Sequence, residues 1–216
     1  MLLLSIFQDP IVGIIFLGII VFSLTFHEFA HAFVANWAGD PTPKLEGRLT
    51  LNPLSHLDPI GSIMLLIIGF GWGKPVPINP NYFKHKSSEL WVSLAGIITN
   101  LIIALSISLI LKLLISTGTI EAHSFISQIL NLAAVLNIAL ASFNILPIPP
   151  LDGSHLLEPF MSQPTREVYQ NFGPYILLGI IVYDQISGSS VFLGLIRPLI
   201  LAISKIFGID PSMLVG

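Results

Sequence analysis

The chain has 216 residues, no cysteine, 53% hydrophobic and 10% charged residues, and a formal charge of -3. An ordinary soluble domain is about a quarter charged, so this composition belongs to an integral membrane protein whose partner is the lipid bilayer, with room for one membrane-embedded domain over 1–216. The missing cysteines exclude disulfides and thiol chemistry, and so small a net charge gives no reason to expect a nucleic-acid partner.

Met1 to Gln8 carries no basic segment, and the apolar stretch that follows holds ionisable residues, so a cleaved signal peptide is not expected. Asp9-Pro10 is a helix start and Gly39, before Asp40-Pro41, a helix stop. The helix between them has about 29 residues and a length of roughly 43 Å, more than the ~30 Å of hydrocarbon, so it tilts or projects. Within it stands His27-Glu28-Phe29-Ala30-His31. A helix turns about 100° per residue, so His27 and His31 share a face one turn apart and can share a metal, with Glu28 beside them. In an H-E-x-x-H arrangement the imidazoles hold one Zn²⁺, positions stay open for water, and the glutamate takes that water's proton. Ionisable groups inside hydrocarbon are expensive, and three within a turn and a half point to function.

After this helix a polar link runs from Asp40 to Asp58, in which Gly47 to Pro53 reads as a short strand entering a turn. Ile60 to Phe70 is apolar but too short to span and is expected to dip into the membrane and return. Gly71 to Ile78 is extended and proline-rich, with an interfacial Trp72-Lys74 pair. Glu89 to Leu114 and Phe125 to Leu146 are long enough to cross, around a polar loop at Gly118 and Glu121. Gly96 and Asn100 on the first of these read as helix-packing residues. Pro174 to Ile186 and Val191 to Phe207, around Ser187 to Ser190, read as a helical hairpin.

Basic residues set the orientation. With Ile60 to Phe70 re-entrant and the terminal hairpin crossing twice, Lys44, Arg48, Lys74, Lys84, Lys86, Arg166 and Lys205 fall on one side and Lys112 dissents. This expects a multi-pass protein of the cell membrane with its N-terminus outside and its C-terminus in the cytoplasm. A third metal ligand must then come from an element at the depth of His31. The span Phe125 to Leu146 runs into Asn144-Ile145-Leu146-Pro147-Ile148-Pro149-Pro150-Leu151-Asp152-Gly153, whose prolines force an extended segment. Irregular backbone at membrane depth has to be buried in protein or line a wet cavity, and Asp152 is the carboxylate it presents. Gly153 leaves room for close backbone approach.

On His27 to His31 and Asn144 to Gly153, in that order, the sequence resembles the site-2 protease family of intramembrane zinc metalloproteases. Gly47 to Gly61, Gly73 to Pro77 and Ser93 to Asn100 extend the resemblance to short members of that family. The resemblance implies His27, His31 and Asp152 as zinc ligands, Glu28 as catalytic base, and membrane-spanning proteins as substrates cut within or next to the bilayer. No polar insertion in the sequence is long enough for a PDZ domain and no C-terminal regulatory domain is expected, which departs from many bacterial members.

Three further residues have two readings each. His56 orients a ligand from behind or bonds a turn; His155 bonds Asp152 or faces the cytoplasm; Asn144 donates to the substrate or ties up carbonyls freed by the proline break. His85 and His123 read as loop residues. A spanning substrate must be unwound before it is cut, and an extended edge at Gly47 to Leu51 or Trp72 to Ile78 would pair with its freed backbone. The expectation is thus an all-α polytopic membrane protein, with four to six transmembrane or re-entrant helices and minor β structure near the active site. Its function is that of a zinc endopeptidase. A zincin with its site in a soluble lobe fails on the apolar flanks of His27. The remaining rival is a catalytically silent membrane-protein-binding or metal-binding protein.

Overall fold

Asp9 and Pro10 open the first helix. In the computed structural model, which describes residues 9–85 and 87–215, the Asp9 carboxylate accepts the Val12 N–H at 3.2 Å and proline occupies the first turn. This helix, α1 (Pro10–Trp37), has 28 residues and a length of about 42 Å. It stops before Gly39, whose φ of +113° and close approach to the Tyr82 carbonyl both call for glycine. The buried residues of α1 are Gly13, Ser23, Thr25, His27, His31, Ala32 and Ala35, whereas Ile11, Ile14, Phe22, Phe33 and Trp37 are exposed. That is the inverted pattern of a helix in lipid, where small and polar side chains pack and large apolar ones meet acyl chains. The expectations placed on Met1 to Gln8 and on Lys86 lie outside the described residues.

The chain forms two compact units, Met1–Thr99 and Asn100–Gly216. In the first, Asp58 caps α2 (Pro59–Ile68) through the Gly61 N–H at 2.8 Å, and Gly69 ends it at φ +78°. Ten residues give a helix of about 15 Å, half the hydrocarbon thickness. The chain then doubles back along α2. The Trp72 backbone lies where a side chain on Gly61 would be, Leu57 and Gly73 form an antiparallel bridge, and Lys74 N–H donates to the His56 carbonyl at 2.8 Å. Entry and exit of α2 are therefore side by side, as a re-entrant segment demands.

That bridge is the β structure near the site among the described residues. The strand expected at Gly47 to Leu51 is replaced by turns and bends, because Arg48 is buried and the Thr50 carbonyl accepts from the His56 ring at 2.7 Å. Residues 72–78 remain extended, and Arg48 donates to the carbonyls of Lys74 and, at 2.7 Å, of Pro75.

Helix α3 (Ser88–Ser116) carries the boundary between the units, and α4 (Phe125–Asn144) follows it. With α1 they are the three described helices long and apolar enough to cross a membrane. In the second unit Asn100 Nδ2 donates to Asn137 Oδ1 at 3.1 Å, and Asn137 Nδ2 to the Ala133 carbonyl at 2.8 Å, a buried amide pair that joins α3 to α4. Around it pack Ala104, Ala134, Val135 and Ile138 with Ile196, Ile200 and Ile209.

The last third differs from the expected hairpin. Helix α5 (Gln163–Ser187) begins eleven residues before Pro174, and α6 (Val191–Phe207) follows at 107° across a short break. The polar start of α5 is helical because Ser162 and Pro164 open it and its side chains have partners: Tyr169 Oη donates to the Pro147 carbonyl at 2.8 Å, and Gly173 lies against the Pro149 ring. At the far end, Ser108 Oγ and Lys112 Nζ both donate to the Phe207 carbonyl at 2.6 Å, and Asn131 and Asp210 exchange hydrogen bonds of 2.7 and 3.1 Å. The pair α5/α6 thus starts beside the end of α4 and finishes beside its beginning, traversing the unit once. Asp184 makes the break possible by accepting from Ser189 Oγ (2.6 Å), Val191 N (3.0 Å) and Phe192 N (2.8 Å), the orphan donors of the α6 start.

Candidate metal centre

The four-residue spacing on α1 places the rings of His27 and His31 on one buried face, 5% and 6% exposed. His31 Nδ1 donates to the Val92 carbonyl on α3 at 2.7 Å. A carbonyl accepts only, so Nδ1 carries the hydrogen of this bond, and Nε2 is the ring nitrogen turned away from Val92. Nε2 of His31 faces Nε2 of His27 at 3.1 Å. Two nitrogens at 2.0–2.1 Å from a tetrahedral zinc stand about 3.3 Å apart, so the pair is spaced as ligands of one ion.

Gly96 supplies the space for it. A Cβ at this position would lie 2.5 Å from both Nε2 atoms. Gly96, expected as a packing residue, instead clears the volume in front of both Nε2 atoms. Two imidazole nitrogens converging on a cleared space fit a zinc ion.

Glu28, half-buried, follows His27 on α1. Arg48 is its cationic neighbour: burial pushes the guanidinium below the ordinary arginine range, while the Glu28 and Glu46 carboxylates pull it back up. Arg48 is 3% exposed, and sequence reasoning used it only as a topological charge.

Asp152 belongs to the second unit and opens a 3-10 turn, Asp152–Leu156, after the proline-rich loop. Gly153 is required there, since a side chain would strike the Ile145 carbonyl. Asn144 Nδ2 donates to the Leu140 carbonyl at 2.9 Å, closing the last turn of α4. His56 is fully buried and bonds the Thr50 carbonyl through Nε2, which holds the 50–56 turn. His155 Nδ1 lies 3.1 Å from Glu158 Oε1. Glu158, which sequence reasoning passed over, is 4% exposed and pairs with Arg166 and, at 2.9 Å, with Gln170 Nε2. Arg166 and Gln170, four apart at the head of a helix that follows a lone glutamate, were the available signal.

Residues 113–183, which include Asn144 and Asp152, match Peptidase family M50. The chain is 43% identical over 143 residues to a Bacillus subtilis protein named "Putative zinc metalloprotease YwhC", covering 64% of this chain and 65% of that one. It is 35% identical over 150 residues to "Putative zinc metalloprotease Rip2" of Mycolicibacterium smegmatis, covering 67% and 56% respectively. A protein of the same name from Mycobacterium tuberculosis is 32% identical over 166 residues, covering 74% of this chain and 62% of the relative. The chain spans less than two thirds of the length of these curated relatives. No solved structure matches it.

Proposed function

We propose that this chain, whose residues 113–183 match Peptidase family M50 and which resembles proteins named putative zinc metalloproteases, is a zinc metalloprotease of that site-2 protease family and acts on membrane-spanning proteins, cutting them within or next to the bilayer. The observation that carries this reading is the His27 and His31 pair, one ring oriented by Val92 and both Nε2 atoms opening on the space that Gly96 leaves. Asp152 is the third ligand in this reading, since two imidazoles alone fall short of the three protein ligands usual for a catalytic zinc. Bound zinc would supply a Lewis acid and an acidified water. Glu28 takes the proton from the attacking water and returns it to the leaving amine. Asn144 and His56 hold the backbone that frames these residues.

The substrate backbone, once unwound, needs partners. Residues 74–77 offer them: Lys74 N–H is taken by His56, the carbonyls of Lys74 and Pro75 by Arg48, and the prolines at 75 and 77 have no N–H. Val76 N–H is left. Its peptide is trans, so this N–H points opposite to the Pro75 carbonyl that Arg48 holds. An incoming strand would pair there irrespective of its side chains.

The protein sits in the cell membrane with the start of α1 outside, and residues 40–85 and 145–162 face the cytoplasm. Taking α5/α6 as one broken span supports an outside position for the end of α6, where the hairpin expectation has the C-terminus in the cytoplasm. Among the described residues Lys44, Arg48, Lys74, Lys84 and Arg166 then face the cytoplasm against Lys112 and Lys205 outside, which keeps the positive-inside bias. Lys112, the dissenter, is bound to the end of α6.

Comparative membrane proteomics of cells carrying the native chain or Glu28→Gln tests the activity. Single-span fragments that depend on Glu28 are the expected result. Identical profiles would leave a membrane protein that binds metal without cutting.

A further inference from the structure

The turn that bears Asp152 has little to hold it from within. It is a 3-10 stretch, Asp152–Leu156, followed by another, Glu158–Phe160, and it follows a loop with prolines at 147, 149 and 150. Short 3-10 turns have poor hydrogen-bond geometry and no length over which cooperativity builds. A metal ligand needs more than that, because its carboxylate must be fixed within a fraction of an ångström.

What fixes this turn is one buried carboxylate. Glu158 is 4% exposed and stands among Arg166, Gln170 Nε2 (2.9 Å) and His155 Nδ1 (3.1 Å). Arg166 and Gln170 are one turn apart on α5, so the carboxylate is gripped by a rigid helix from two points, and His155, on the turn that starts at Asp152, has its Nδ1 3.1 Å away. Two further contacts from the same face of α5 brace the loop just before: Tyr169 to the Pro147 carbonyl at 2.8 Å, and Gly173 against Pro149.

We propose that Glu158 is a positioning residue for the metal centre: held by Arg166 and Gln170, it docks the 152–160 turn onto α5 and so presents Asp152 to the ion. This rests on Asp152 being the third ligand. A buried carboxylate paired with Arg166 and Gln170 is costly to assemble and strongly destabilising to break, so the turn has one favoured place rather than several. Removal of the grip leaves every ligand present but lets the Asp152 carboxylate wander, which weakens the metal without abolishing its site.

The test measures zinc affinity by chelator competition on the full chain in nanodiscs, with the absorption spectrum of the Co²⁺-substituted protein as a report on ligand geometry. Glu158→Gln and Arg166→Met should each weaken zinc about 10- to 100-fold, the range for partners that orient a ligand from behind. Both should broaden or shift the cobalt bands, while Arg166→Lys recovers part of the loss. In an Asp152→Ala background Glu158→Gln should weaken zinc no further, because the ligand it positions is gone. Unchanged affinity in both single variants overturns the proposal, as does an equal loss in the two backgrounds, which a general loosening of the fold would give. If Glu158→Gln does not fold, the same cycle is run with Gln170→Ala, which removes one donor from an exposed position and is judged by the same criterion. Asp152→Ala with full zinc affinity would instead refute the ligand assignment, an outcome separate from either.

Discussion

His31 on α1 is bonded to the backbone of α3: its Nδ1 lies 2.7 Å from the Val92 carbonyl. One turn on from Val92 the same helix presents Gly96, whose missing side chain clears both Nε2 atoms. One helix therefore orients His31, the proposed ligand, and clears the space in front of its Nε2. Gly96→Ala should fold, since alanine favours helix, yet it should fall from one zinc per chain to well under half. Metal analysis of the purified protein checks this, and full occupancy would show that the ion sits elsewhere.

Asp152→Ala should weaken zinc by more than the roughly 10- to 100-fold typical of residues behind the ligands. Glu28→Gln should retain one zinc per chain and lose cleavage, as expected of a base that is not a ligand. Loss of zinc in Glu28→Gln would make the glutamate a ligand.

Cysteines at Asn52 and Asn81 should be labelled by a membrane-impermeant reagent from one face of the membrane, because entry and exit of α2 are paired at residues 56–57 and 73–74. Cysteines at His123 and Ser212 should be labelled from the other face. Labelling of Ser212→Cys together with Asn81→Cys would mean that α5 and α6 cross separately.

Val76→Pro removes the one donor of residues 74–77 that points away from Arg48, and should slow cleavage of single-span peptides at least tenfold with zinc content unchanged. Peptides with a helix-breaking residue near the cut should be preferred by both forms, since they unwind at lower cost. Equal turnover of the native and Val76→Pro chains would rule out strand pairing at this edge.

Arg48→Met takes two charge-assisted bonds from the carbonyls of Lys74 and Pro75, each worth about 1.5–3 kcal/mol where the acceptor stays buried. Amide exchange should rise at residues 73–78 and remain slow in α1. Protection that is unchanged at 73–78 would show that the bridge and the Lys74 to His56 bond suffice.

The parts of this protein legible in its sequence are those fixed by local rules. The helical spacing of His27 and His31, the Asp9-Pro10 and Asp58-Pro59 starts, and the proline-enforced loop before Asp152 depend on neighbours in the chain. The parts that were not depend on distant ones. Gly96 looks like any small residue of a membrane helix until two imidazoles from another helix are placed over it. Arg48 reads as a loop charge, and only its burial against the carbonyls of residues 74 and 75 explains why the strand expected around it does not form. The polar start of α5 carries no apolar signal, since its register is set by Glu158 and Pro147 rather than by lipid.

The break between α5 and α6 bears on how the chain is inserted during synthesis. Helix α6 has 17 residues with Arg197 and Pro198 inside it, a poor signal for an insertion machinery that weighs apolar length and penalises charge. Its exposed N–H groups are matched by Asp184 and its apolar face by Ala134, Val135 and Ile138 of a helix already synthesised. It therefore enters late, as a passenger on earlier helices. A defect in α4 would show first as a C-terminal segment stranded on the wrong side of the membrane.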